Sequence, residues 1–169
     1  MGVTIHFEGR LKNVEALTSL ESDVRAFSNE SGWTTKPICE SNTTLKRVVN
    51  EQDDDYVGPA RGVEAQPHPN CEPLRFEFDR GLFIQEYCKT QFAGAATHVK
   101  IVELIRRVAH YFEDLHVEDE GEFWETNDEA LLESHIEKVN GMIDEIRREQ
   151  PSAKGPIRLP SGRIVDITT

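Results

Sequence analysis

Cys88, Lys89, Thr90, Gly94, Thr97 and His98 fall within one stretch, "CKTQFAGAATH". Residues of these types can do two kinds of chemistry. A thiolate beside an imidazole is an activated nucleophile. A glycine-eased helix start flanked by Lys89, Thr90, Thr97 and His98 is an anion-binding geometry. Its first turn has unpaired N–H groups and the positive end of the helix dipole. Neither a GxxxxGK[ST] nor a GxGxxG pattern accompanies it. The competing reading is structural. Thr90 or Thr97 caps the helix, Cys88 shares a strand face with Ile84 and Phe92, and His98 lines up with Val102, Ile105 and Ala109.

A second constellation lies on strands. His6, Glu8, Arg75, Glu77 and Asp79 occupy the polar phase of two alternating segments. If those strands are neighbours, paired carboxylates, a cation and an imidazole share one surface, which suits acid–base work or a hard cation. Half-exposed sheets carry the same alternation for solvent alone.

A third is the run "EDLHVEDEGEFWETNDE", in which nine of seventeen residues are Asp or Glu. Glu118, Asp119, Glu120 and Glu122 around Phe123 and Trp124 make a partner surface with aromatic anchors. Alternatively, the two aromatics pack inward at the entry to a helix. Metal ligation is not expected. The six histidines form no HxH or HExxH, and "HPNCE" offers only His68, Cys71 and Glu72 in a loop. No cofactor is implied. The three cysteines, Cys39, Cys71 and Cys88, are scattered and odd in number, which argues against a disulfide framework.

The elements that must position these residues follow from periodicity. Val3, Ile5 and Phe7 alternate with polar residues as a half-buried strand. Asn13 caps a helix over 14–30 with its stripe at Leu17, Leu20, Val24 and Phe27, and Gly32 ends it with Trp33 folding back. Residues 33–50 read as two short strands, the first at an edge because of Pro37, and 51–55 as a solvated loop. Segments 63–66, 74–78 and 82–92 form an antiparallel meander. A second helix spans 95–113, a strand follows at 115–121, and Thr126 with Glu129 has the capping-box spacing for a third helix closed by Pro151.

The central strands are too close in sequence for parallel crossovers. The fold expected is therefore α+β: a mainly antiparallel sheet of 5–7 strands with three helices, mostly on one face. The chain reads as one domain over 1–169, with a strand or hairpin extension at 156–169 after a flexible link.

A net charge of −12 disfavours nucleic-acid backbones and anionic membrane surfaces. No secretory leader and no apolar span of membrane length are read, so a reducing cytoplasmic setting is expected. "TIHFEGRLK", "KTQFAGAATHVKIVELI" and "EGEFWETNDEALL" resemble segments shared by a group of small uncharacterised bacterial proteins, over residues 3–135. The resemblance implies a bacterial cytosolic protein and no particular activity.

The function expected is a non-catalytic acidic module that binds a basic partner protein, immunity-like by analogy of charge. The alternative is a small enzyme or anionic-ligand binder at 88–98. A homo-oligomer that covers the open sheet face is a third reading.

Overall fold

The computed structural model describes residues 2–168. β1 (Thr4–Leu11) runs into α1 (Val14–Ser31). β2 (Thr34–Leu45), β3 (Val48–Val49), β4 (Gln52–Asp53), β5 (Tyr56–Gln66), β6 (Leu74–Phe78) and β7 (Phe83–Lys89) follow. Then come α2 (Ala95–Val108), a 3-10 turn (Ala109–Tyr111) and β8 (Phe112–Asp119). The chain continues through α3 (Phe123–Thr126), α4 (Glu129–Glu149), β9 (Ile157–Arg158) and β10 (Ile164–Val165).

The class is α+β with small antiparallel sheets. Instead of one sheet, two three-stranded sheets form, in the orders β7-β1-β8 and β2-β5-β6, with two-stranded ribbons β3-β4 and β10-β9. The described residues hold ten strands and four α-helices, against the 5–7 and three expected. The excess is in the two ribbons and the single turn of α3.

β1 sits between β7 and β8, antiparallel to both, with Ile5 opposite Cys88 and Asp119, and Phe7 opposite Glu86 and Val117. Ile5 and Phe7 are buried, while His6 and Glu8 point to the other face. The strand thus realises the alternation read from its sequence. The β6–β7 turn joins the two sheets, with Asp79 N–H on the Phe83 carbonyl at 3.0 Å. Leu17, Leu20, Val24 and Phe27 of α1, Ile101 and Ile105 of α2, and Leu132 and Ile136 of α4 join the inward residues of both sheets in one core.

Local signals held where the physics is local. Asn13 Oδ1 accepts the Ala16 N–H at 2.8 Å, Gly32 adopts φ 72°, and the Trp33 ring folds back to 5.4 Å from Phe27. Other elements differ. Residues 34–45 are one long strand, and Pro37 is tolerated because β2 is an edge. The acidic loop at 51–55 contributes β4, turned by Asn50 and Glu51 at φ 50° and 63°, as a tight hairpin requires. α2 stops at Val108 rather than 113, because Phe112 pairs with Leu11 in the sheet. Thr126 does not cap α4. Asn127 at φ 56° ends α3, and Asp128 takes the cap, accepting the Leu131 N–H at 3.0 Å.

Gly62 lies opposite Glu77 where β5 and β6 cross closely, and a β-carbon there would overlap the Phe76 carbonyl oxygen. Gly62→Ala is therefore expected to cost about 1–3 kcal/mol, the range for forced overpacking. Urea unfolding followed by circular dichroism measures it.

Candidate functional site

His98 is the residue on which the two readings of "CKTQFAGAATH" diverge. It is fully buried, as the structural reading requires, yet aliphatic contact is only part of its surroundings. Its Nε2 lies 3.0 Å from Asp119 Oδ2 and its Nδ1 lies 2.7 Å from Thr90 Oγ1. Thr90 Oγ1 is also 3.2 Å from the Val3 carbonyl. With Nε2 donating to Asp119, Nδ1 either accepts the Thr90 hydroxyl proton or donates to Thr90, whose proton then turns to Val3. Every polar atom is satisfied in both arrangements, which is the condition for burying them cheaply.

Asp119 ends β8 and also gathers the next turn. Its Oδ1 accepts the Gly121 N–H at 2.7 Å and its Oδ2 the Trp124 N–H at 2.9 Å. Burial pushes this carboxyl upward, but the hydrogen bonds from His98, Trp124 and Gly121 outweigh it and hold the group below the usual aspartate range.

Thr–His–Asp is a nucleophile–base–orienter order, but here the hydroxyl is sealed. Thr90 is a fastening between β7, β1 and α2. Neither Thr90 nor Thr97 caps α2. Gly94 holds that position at φ 91° with no side-chain cap, and Thr97 Oγ1 turns back to the Ala93 carbonyl at 3.5 Å. Lys89 points to the C-terminal segment, bonding Asp166 Oδ1 at 2.7 Å and the Ile164 carbonyl at 3.1 Å. Lys89, Thr97 and His98 therefore have separate partners and do not converge on an anion.

The polar-face residues are dispersed in a different way. β1 and β6 belong to different sheets, so His6 and Glu8 are not on a strand next to Arg75 and Glu77. Arg75 bonds Glu64 Oε2 at 2.6 Å, and Asp79 is spent on its turn, where Oδ1 accepts the Gly81 and Phe83 N–H groups at 2.8 and 3.1 Å. Glu77 is pushed above its usual range, first by burial and then by Glu86 nearby.

His6 and Glu8 acquire other neighbours. The register sets His6 beside Tyr87 and Glu118, and Glu8 beside Gln85 and His116. These six line a groove of about 540 Å³ on the outer face of β7-β1-β8, with Lys46 and Val48 at its rim. Lys46 is already paired with Asp55 at 2.6 Å, and the His6 and Tyr87 rings are 5.8 Å apart. Gln85 fixes the rim like a piece of strand, accepting the Val48 N–H at 2.7 Å and donating to the Val48 carbonyl at 2.9 Å.

The acidic run is divided by its own alternation. Glu118 and Glu120 face the groove side, with His6 Nε2 3.8 Å from Glu120, whereas Asp119 and Phe123 are buried and cannot belong to a partner surface. Glu122 lies 2.5 Å from His135 on α4. Trp124 packs partly against the core, with the Arg106 guanidinium 5.4 Å from its ring.

No protein family, curated protein or solved structure matches the chain. Among the described residues no helix is long and apolar enough to cross a membrane, and no cluster of three His, Cys, Asp or Glu side chains is arranged to hold a metal.

The sequence did carry one unused signal. Leu115, Val117 and Asp119 share the inward phase of β8, and a carboxylate in that phase demands a buried donor. The groove's Gln85, Tyr87 and His116, and the buried Glu72 with the half-buried Arg163, had no comparable local mark.

Asp119→Ala removes the partner of a buried imidazole and of two N–H groups. Its expected cost is about 3–5 kcal/mol by chemical denaturation. For Asp119→Asn the loss should be full above the unfolded aspartate value near about pH 4 and shrink as pH falls through the lower folded value. Glu77→Gln has the opposite sign. The raised folded value makes the ionised carboxylate unfavourable at neutral pH, so the variant should be more stable at pH 7. That gain should vanish below about pH 4, where both states are protonated. Melting curves across pH check both.

Proposed function

We propose that the protein is a non-catalytic binding module that receives a basic partner protein on the outer face of β7-β1-β8. The observation that carries this reading is the charge of the open groove. Glu8 and Glu118 lie on its floor with His6, His116 and Tyr87, and its rim lysine is already paired with Asp55. Glu120 adds a further carboxylate beside His6.

A concave acidic surface with an exposed tyrosine suits a basic segment. Charge steers the approach, and the aromatic ring supplies contact area at little entropic cost. The chain's charge of −12 extends that attraction beyond the contact itself. The burial of Thr90 and His98 supports a binding role over catalysis at 88–98.

The test is affinity capture from lysate at low salt with three proteins: the parent, Glu8→Lys/Glu118→Lys, and Glu133→Lys/Glu137→Lys. The third reverses the same number of charges on exposed positions of α4. A species held by the parent and the α4 variant, released by high salt and absent from the groove variant is the expected result. Equal capture by both variants, or none by the parent, refutes the reading.

A further inference from the structure

Two cysteines distant in the chain meet in the fold. Cys71 Sγ and Cys88 Sγ are 3.7 Å apart and both residues are fully buried. Cys71 lies in the β5–β6 connection and Cys88 on β7. The main chains beside them are already joined, since the Glu72 N–H donates to the Lys89 carbonyl at 3.2 Å. Each thiol is also directed toward the opposite segment, Cys88 Sγ to the Glu72 carbonyl at 3.3 Å and Cys71 Sγ to the Lys89 carbonyl at 3.5 Å.

We propose that Cys71 and Cys88 are a redox-responsive dithiol that closes to an intramolecular disulfide. Closure brings the sulfurs from 3.7 Å to a bond length of about 2.05 Å, a step that side-chain rotation on two adjacent segments can supply. The oxidant is a small-molecule disulfide such as oxidised glutathione. One protein thiolate attacks it, forming a mixed disulfide and expelling one glutathione thiolate. The second protein thiolate then displaces the other glutathione. Two S–H bonds are lost, one S–S bond forms, and the two electrons and two protons end on two molecules of reduced glutathione.

The C-terminal hairpin controls access. Arg158 Nη2 donates to the carbonyls of Pro69 and Cys71, the latter at 2.8 Å, and the Ile164 N–H donates to Glu72 Oε1 at 2.8 Å. With the hairpin seated, the hydrogen bond that holds the Cys88 thiol with Cys71, together with burial, pushes that thiol well above its usual range, so little thiolate is present. Lifting β9-β10 from this turn opens the pair to the oxidant. Cys39 is exposed and apart, so its oxidation is a separate event.

The experiment uses the full chain with Cys39→Ser, incubated folded with oxidised glutathione and followed by intact mass and peptide mapping. The expected product has lost two hydrogens, contains a single peptide pair joined at Cys71 and Cys88, keeps the native circular dichroism spectrum and melts at a higher temperature. Adding Arg158→Ala, which removes both of its hydrogen bonds to the Pro69 and Cys71 carbonyls, should speed closure by at least roughly tenfold, since one hydrogen bond to a charged group already carries about that factor. The proposal is overturned if neither protein loses two hydrogens while the urea-unfolded chain does. It is equally overturned if glutathione adducts accumulate without ring closure, or if the closed product is unfolded.

Discussion

A buried imidazole with a partner on each nitrogen is the constraint that aligns this fold. His98 is inside the core, and neither ring nitrogen reaches water. An unpaired polar atom there would cost about 1–3 kcal/mol. Both partners must therefore arrive in register. Thr90 comes from just beyond β7 and Asp119 from the last position of β8, and β1 lies between those strands. The same Thr90 fastens Val3, and the same Asp119 collects Gly121 and Trp124 at the approach to α3 and α4. A shift of one residue in β8 would exchange Asp119 for a neighbour of the opposite face and strand the imidazole. The bond set thus fixes α2, both outer strands of one sheet and the approach to α4 at once.

Charge does a similar task where the two sheets part. β6 and β7 are joined by their turn, and the C-terminal hairpin packs against the region beside them. Arg163 bonds Glu72 Oε2 at 3.3 Å and Glu86 Oε2 at 2.9 Å, and its guanidinium lies 3.8 Å from the centroid of the Tyr87 ring. Glu72 is itself almost fully buried, accepting N–H groups of Lys89 and Ile164. Removing one member of such a set leaves an uncompensated charge in low dielectric, which costs far more than the intact pair contributes. The described part of the extension, residues 156–168, is accordingly tied down by specific ion pairs. Because Glu86 and Tyr87 also border the groove, the hairpin's seating and the groove's shape share residues.

The outer face of β7-β1-β8 is left open by the same arrangement. The helices cover the inward side, where Ile5, Phe7, Ile84 and Val117 are buried. The outward residues alternate between the strands as imidazole and carboxylate, His6 beside Glu118 and Glu8 beside His116. Such cross-strand pairs cost the sheet little and can stabilise it. A face of this kind is free to serve recognition without being needed by the core.

What the chain determined by itself lies within a few residues of each signal. The alternation of β1, the stripe and caps of α1, the β5–β6 hairpin and the acidic division around residue 119 depend on local sterics and hydrogen bonding, which periodicity records. Even there, Thr126 was displaced as a cap by Asp128, because the backbone of Asn127 turned first. The tertiary structure alone decided which strand lies beside which. It moved His6 and Glu8 away from Arg75 and Glu77, placed Asp119 against His98, and brought Cys71 to Cys88. Each of these is a pairing between segments distant in the chain. Its free energy depends on burial and charge compensation that exist only once both partners are in place, and so it leaves no local mark in the sequence.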